Sequence, residues 1–87
     1  MQKILLSTET TGDAFTPNGG TALIVLSGHA GGTWQLQVST PDGTWVDDEM
    51  TFTDDGIQAW HCTSELSYRL TGGTAGAEAW VTESDGD

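Results

Sequence analysis

The chain has 87 residues, of which 13 are acidic and only 2 basic, Lys3 and Arg69, giving a formal net charge of −11. That length predicts one domain, and that charge repels phosphate backbones and anionic lipid surfaces, so neither nucleic acid nor a membrane is expected as a partner. Cys62 is the single cysteine, so no internal disulfide reinforces a core that, at this size, buries only roughly 60–65% of the surface exposed by the unfolded chain.

The predicted elements are all strands. Met1-Gln2-Lys3 is followed by just three apolar residues, Ile4-Leu5-Leu6. That is too short for a signal-peptide core, so synthesis in a cytoplasm without classical export is expected. Residues 3–8 read as a first strand. Residues 10–20 form a polar connection with Gly12, Pro17, Gly19 and Gly20, which Phe15 anchors to the core. Residues 21–27 are apolar on both faces, as in a central strand covered on both sides. After the turn Gly28-His29-Ala30-Gly31-Gly32 comes the clearest unit of the chain. Trp34, Leu36 and Val38 alternate with Gln35, Gln37 and Ser39, the period of a half-buried strand. Pro41-Asp42-Gly43 turns the chain, and residues 44–47 pair back as a hairpin.

Asp47-Asp48-Glu49 reads as an acidic corner before a short strand that carries Met50 and Phe52 on one face. Asp54-Asp55-Gly56 signals a turn. Residues 57–62 form a strand with Ile57, Ala59 and His61 on one face and Gln58, Trp60 and Cys62 on the other. Residues 67–71 bring Tyr68 and Leu70 together with Arg69 opposite. Beyond the loop of residues 72–76, residues 77–82 make the last strand. The expectation is an all-β fold: an antiparallel β-sandwich of seven or eight short strands, jelly-roll or immunoglobulin-like, over residues 1–82. An acidic C-terminal tail follows at 83–87.

No constellation carries chemistry. His61 and Cys62 are neighbours on a strand, so their side chains point to opposite faces and cannot form a thiol–imidazole pair. Cys62 reads as a small buried or interface residue. Two histidines and one cysteine do not make a closed zinc site. The carboxylates of Asp47, Asp48, Glu49, Asp54 and Asp55 lack the EF-hand order of ligands and central glycine, leaving only a loose calcium loop as an alternative to a solvated surface. A sandwich this small offers little room for a substrate cleft. No enzyme, cofactor or metal is expected.

Four tryptophans stand out in so short a chain. Trp34 and Trp45 flank the hairpin. Trp60 and Trp80 are each out of phase with small neighbours, Ala59 for the first, Ala79 and Val81 for the second. If the small residues face inward, both rings project outward onto a contact surface, where tryptophan is enriched. Core packing and a sugar-stacking platform are the other readings. Arg69 lies on a strand face in an acidic chain and is expected to clamp a carboxylate, in this subunit or in another.

Ser39-Thr40-Pro41-Asp42-Gly43-Thr44-Trp45 is similar to the Asp-box hairpin of sialidase-like propellers, one residue shorter between serine and tryptophan. That hairpin is structural and implies nothing about sugar cleavage. A wider likeness runs through Thr16-Pro17-Asn18-Gly19-Gly20-Thr21, the hairpin of residues 32–47, and Asp55-Gly56-Ile57-Gln58-Ala59-Trp60 leading to Leu66-Ser67-Tyr68-Arg69-Leu70. In that order these stretches resemble small β-sandwich virion proteins of tailed bacteriophages. The chain departs from the pattern at His61-Cys62-Thr63, where an apolar run and a proline are expected. The resemblance implies a structural protein on the capsid surface of the virion, made in the host cytoplasm. It would be a decoration or cement protein that binds the major capsid protein across capsomers, often as a homotrimer. Trp60, Trp80 and Arg69 are the candidate interface residues. The alternative is a carbohydrate- or receptor-binding module of a tail fibre.

Overall fold

The computed structural model describes residues 2–83. Within them are seven strands: β1 (Gln2–Leu5), β2 (Gly20–Ser27), β3 (Gly32–Ser39), β4 (Trp45–Phe52), β5 (Gly56–Cys62), β6 (Tyr68–Gly73) and β7 (Glu78–Glu83). All pairings are antiparallel. One sheet has four strands in the order β1-β7-β2-β5, the other three in the order β4-β3-β6. The fold is an all-β sandwich, as the alternation and turn spacing predict.

Period-2 alternation decides what each strand buries. On the four-stranded sheet, Ala22, Ile24 and Leu26 of β2 and Ala79 and Val81 of β7 turn inward. On the three-stranded sheet, Trp34 and Leu36 of β3, Phe52 of β4, and Tyr68 and Leu70 of β6 do so. The register breaks between Lys3 and Leu5, which lets the consecutive Ile4 and Leu5 both be buried. Trp34 is the largest fully buried side chain. It fits because Gly73 faces it: a Cβ at that position would overlap the indole ring.

Several boundaries differ from the sequence expectation. The first strand stops at Leu5 rather than Thr8, and Leu6 is 49% exposed. The acidic corner at Asp47-Asp48-Glu49 is not a break between two strands. It is a bulge inside the continuous β4, where Gln37 pairs with Asp47, Gln35 pairs with Thr51, and residues 48–50 stand opposite Leu36 alone. The Gln35 amide nitrogen satisfies the displaced backbone, lying within hydrogen-bonding reach of the carbonyls of Leu36, Asp48 and Met50. The last strand includes Glu83. Residues 84–87, the rest of the expected tail, lie outside the described residues.

The connection between β1 and β2 has a role that its polar composition conceals. It runs along the free edge of β6. Gly12 N donates to Leu70 O at 2.8 Å, Gly72 N to Thr10 O at 3.0 Å, and Phe15 and Tyr68 exchange both main-chain bonds at 2.9 Å. Phe15 then enters one end of the sandwich beside Trp60 and Tyr68. The three ring centroids lie 5.7–6.1 Å apart, within the range favoured by aromatic pairs.

Candidate interaction surface

The outward residues of the four-stranded sheet follow from its register. One row across it reads Lys3, Trp80, Val25, Ile57, and the next reads Thr82, Leu23, Ala59. Leu23, Val25 and Trp80 are half-buried, Ala59 is exposed, and Ile57 is 63% exposed. The sequence places β2 as a central strand with apolar residues on both faces, and the topology agrees. Among the described residues, however, no layer covers its second face. The outcome is an apolar patch on the flat side of a sheet, of the kind that marks an interaction site.

The patch has a polar rim. Lys3 Nζ pairs with Glu78 Oε1 at 2.9 Å, and the same ammonium sits 5.4 Å from the Trp80 ring centroid. Thr21 pairs with His61 at one end and Ser27 with Glu78 at the other. No acidic residue lies in the rows between these ends, although the chain carries 13.

The candidate interface residues divide. Trp80 projects outward, because Ala79 and Val81 beside it are buried. Trp60 does the reverse. Ala59 is the exposed neighbour and Trp60 packs against the core with Phe15 and Tyr68. Side-chain size does not set the phase here. A wide ring is needed to close the end of the sandwich, and β5 supplies it from the inward face.

Arg69 lies on the outer face of the other sheet, away from both tryptophans. Among the described residues of its own subunit it does not clamp a carboxylate directly. Its Nε donates to Gln37 Oε1 at 2.9 Å, its guanidinium carbon lies 4.1 Å from the Trp45 ring centroid, and Gln37 Nε2 donates to Asp47 Oδ1 at 3.0 Å. Gln37 thus links arginine and aspartate across three strands, a relay through a glutamine that composition does not signal. The guanidinium over the Trp45 ring covers one face of it.

Among the described residues the thiol and the neighbouring imidazole do not meet. His61 and Cys62 diverge, His61 being exposed and Cys62 half-buried beside the core. Burial, helped by the nearby charge of Glu83, pushes the Cys62 thiol above its ordinary range, which disfavours the nucleophilic thiolate. Burial likewise raises the Tyr68 phenol, whose oxygen accepts from Thr63 N at 3.2 Å. Among the described residues no three His, Cys, Asp or Glu side chains converge as a metal site would require. Three of the carboxylates weighed as an alternative calcium loop accept backbone hydrogen bonds. Asp48 Oδ1 accepts from Glu49 N, Asp54 Oδ1 from Asp55 N, and Asp55 Oδ1 from His29 N.

The β3–β4 hairpin is built as its turn sequence demands. Gly43 takes a φ of 92°, and Asp42 Oδ1 accepts from Thr44 N at 3.2 Å and from the Thr40 hydroxyl. The Thr40 hydroxyl bond, then the Thr44 amide bond, hold the Asp42 carboxyl below the ordinary carboxylate range. Comparison with known protein families, characterised proteins and solved structures returns no match.

Proposed function

We propose that this chain is a structural virion protein of the capsid-decoration type, which docks on the major capsid protein through the outer face of β1-β7-β2-β5. The observation that carries the reading is the uncovered row Trp80–Val25–Ile57 with Leu23 and Ala59 beside it, on a chain of net charge −11. A monomer this acidic is kept in solution by its charge, and an apolar sheet face gains only when something covers it. Fully burying an exposed large side chain contributes about 1.5–3 kcal/mol before the costs of association, and the half-buried Leu23, Val25 and Trp80 gain correspondingly less. The likeness to small phage virion proteins supplies the setting, and the outward Trp80 supplies an anchor of the type that dominates interfaces. Decoration of this kind stabilises by mass action, because the protein binds the assembled shell and not the free capsid subunit.

The test is cosedimentation of the purified protein with undecorated heads of the phage that encodes it. Binding, with a raised temperature of head disruption, is the expected result. Trp80→Ser and Val25→Lys should each weaken binding, and salt should weaken it further if acids on this chain meet bases on the shell. Unchanged decoration by both variants would overturn the proposal. Saturable binding on a glycan array with none to heads would point instead to a tail-fibre receptor module.

A further inference from the structure

A β-sandwich of two open sheets has four edges, and three of them here are closed to pairing. The outer edge of β6 is occupied by the main chain of residues 10–15. The edge at β4 is broken by the bulge and bears Asp47, Asp48 and Glu49. The edge at β1 is four residues long, with a register break and the Lys3–Glu78 ion pair. Bulges, charges and short strands are the devices that keep an edge from pairing.

The edge at β5 has none of them. Its seven residues, Gly56 to Cys62, include no Asp, Glu, Lys, Arg or Pro. Its register with β2 runs without a shift from Gly20↔Cys62 to Leu26↔Gly56. Among the described residues no backbone group pairs with its other side. It also carries Ile57, the most exposed large hydrophobic among the described residues.

We propose that β5 pairs antiparallel with β5 of a second copy, joining two four-stranded sheets into one of eight strands. The outward residues of this lane identify the occupant. Asp55, just before the strand, is followed at alternate positions by Ile57, Ala59 and His61, all exposed. Read in the antiparallel direction the same series runs His, Ala, Ile, Asp. With Gln58 on the two-fold axis, Asp55 faces His61 of the second copy and Ile57 faces Ala59 of the second copy, each contact occurring twice. An acid meets an imidazole and an apolar residue meets an apolar residue, so the lane is complementary to itself. Asp55 Oδ1 accepts from His29 N at 2.7 Å, which leaves Oδ2 for the imidazole N–H. The seam lies where two strongly acidic copies bring the fewest like charges together, and it extends the apolar rows of both sheets into one surface. It does not depend on the capsid reading, and it is a two-fold pair rather than the trimer that the phage resemblance implies.

Two measurements on the full chain test it. Sedimentation of the wild type should show a monomer–dimer equilibrium. His61→Asp, which sets two acids against two acids, should weaken the dimer by about tenfold or more, like charges directly opposite being destabilising. Asp55→Lys combined with His61→Asp should restore it. The second measurement reads the register. In a Cys62→Ser background, Ile57→Cys and Ala59→Cys proteins are mixed and mildly oxidised. Residues directly opposite across an antiparallel pair lie about 4.5–5.5 Å apart at Cα, within disulfide reach. Like residues of the two copies are diagonal, at about 7–8 Å. A disulfide dimer should therefore form in the mixture and in neither protein alone. Circular dichroism checks that each variant keeps its sheets. A monomer at every concentration, a trimer, a dimer indifferent to His61→Asp, or disulfides within the single-variant samples but not the mixture would overturn the proposal.

Discussion

Gly73→Ala is the most demanding test of the core. Gly73 is buried on β6, and a methyl group at its Cβ position would overlap Cε2, Nε1 and Cδ2 of Trp34. Carbon atoms in a packed interior rest about 3.5–4.0 Å apart, so either the indole or β6 must move by more than an ångström. Trp34 has 0% exposure and lies among Leu36, Phe52 and Leu70 in one cluster, which leaves the ring no free direction. Overpacking costs about 1–3 kcal/mol, and the size of this overlap places the substitution near 3. A domain of 87 residues has a stability of about 4–13 kcal/mol at the usual density per residue. One kcal/mol moves Tm by about 4–8 °C at this size, so a fall of about 12–24 °C is expected in a thermal melt followed by circular dichroism. Trp34→Phe should partly rescue it, because the smaller ring vacates the space. That change also removes the Trp34 N–H, a buried donor with no partner. In a double-mutant cycle the two changes should therefore couple favourably by about 2 kcal/mol, within the usual range for residues in contact. A Gly73→Ala protein that melts with the wild type, or two effects that simply add, would refute this account of the close approach.

The remaining predictions concern the three-stranded sheet and its β3–β4 turn. Arg69→Lys keeps the charge but loses the planar group that stacks on Trp45 and bonds Gln37; it should cost about 1 kcal/mol in denaturant melts and shift Trp45 emission, and an unchanged midpoint and spectrum would mean that Arg69 is only a solvated charge. Asp42→Asn should destabilise the hairpin at neutral pH, and the gap from the wild type should close in acid. The folded-state pKa of Asp42 is lowered, so its contribution is full above the ordinary aspartate value of about 3.9 and disappears as pH falls through the lower folded value. A gap that instead widened below pH ~4 would contradict that sign.

How much of this was legible in the residues depends on whether the signal was local. The hairpin of β3 and β4 was, because Trp34, Leu36 and Val38 alternate with polar residues and Asp42-Gly43 supplies the turn. So was the double-sided apolar character of β2, but not its meaning: Leu23 and Val25 look the same whether the cover over them comes from this chain or from another. The phase of Trp60 was not legible, since Ala59 and Trp60 offer either face and the choice was made by Phe15 and Tyr68, distant in sequence. The bulge at residues 48–50 is hidden in the sequence because three successive acids, Asp47, Asp48 and Glu49, interrupt the apolar period and look like a corner. What keeps the strand whole is the Gln35 amide on the neighbouring strand. The protection of β6 by residues 10–15 was hidden for a different reason. It is made by main-chain bonds, to which side-chain patterns do not respond.

Charge and edges complete the argument. A chain of net charge −11 with two bases cannot neutralise most of its own acids when copies assemble, and both bases are already engaged. Lys3 is held by Glu78 and Trp80, Arg69 by Gln37 and Trp45. Contacts with a like copy are thus confined to surfaces that carry few acids. The outer face of β2, β5 and β7 and the free edge of β5 are such surfaces, and they adjoin one another through Ile57 and Ala59. Acids elsewhere, on the β4 bulge and in the β3–β4 turn, mark where copies cannot meet. The proposed contacts therefore fall on one sheet, with an edge that can extend it and a face that a partner can cover.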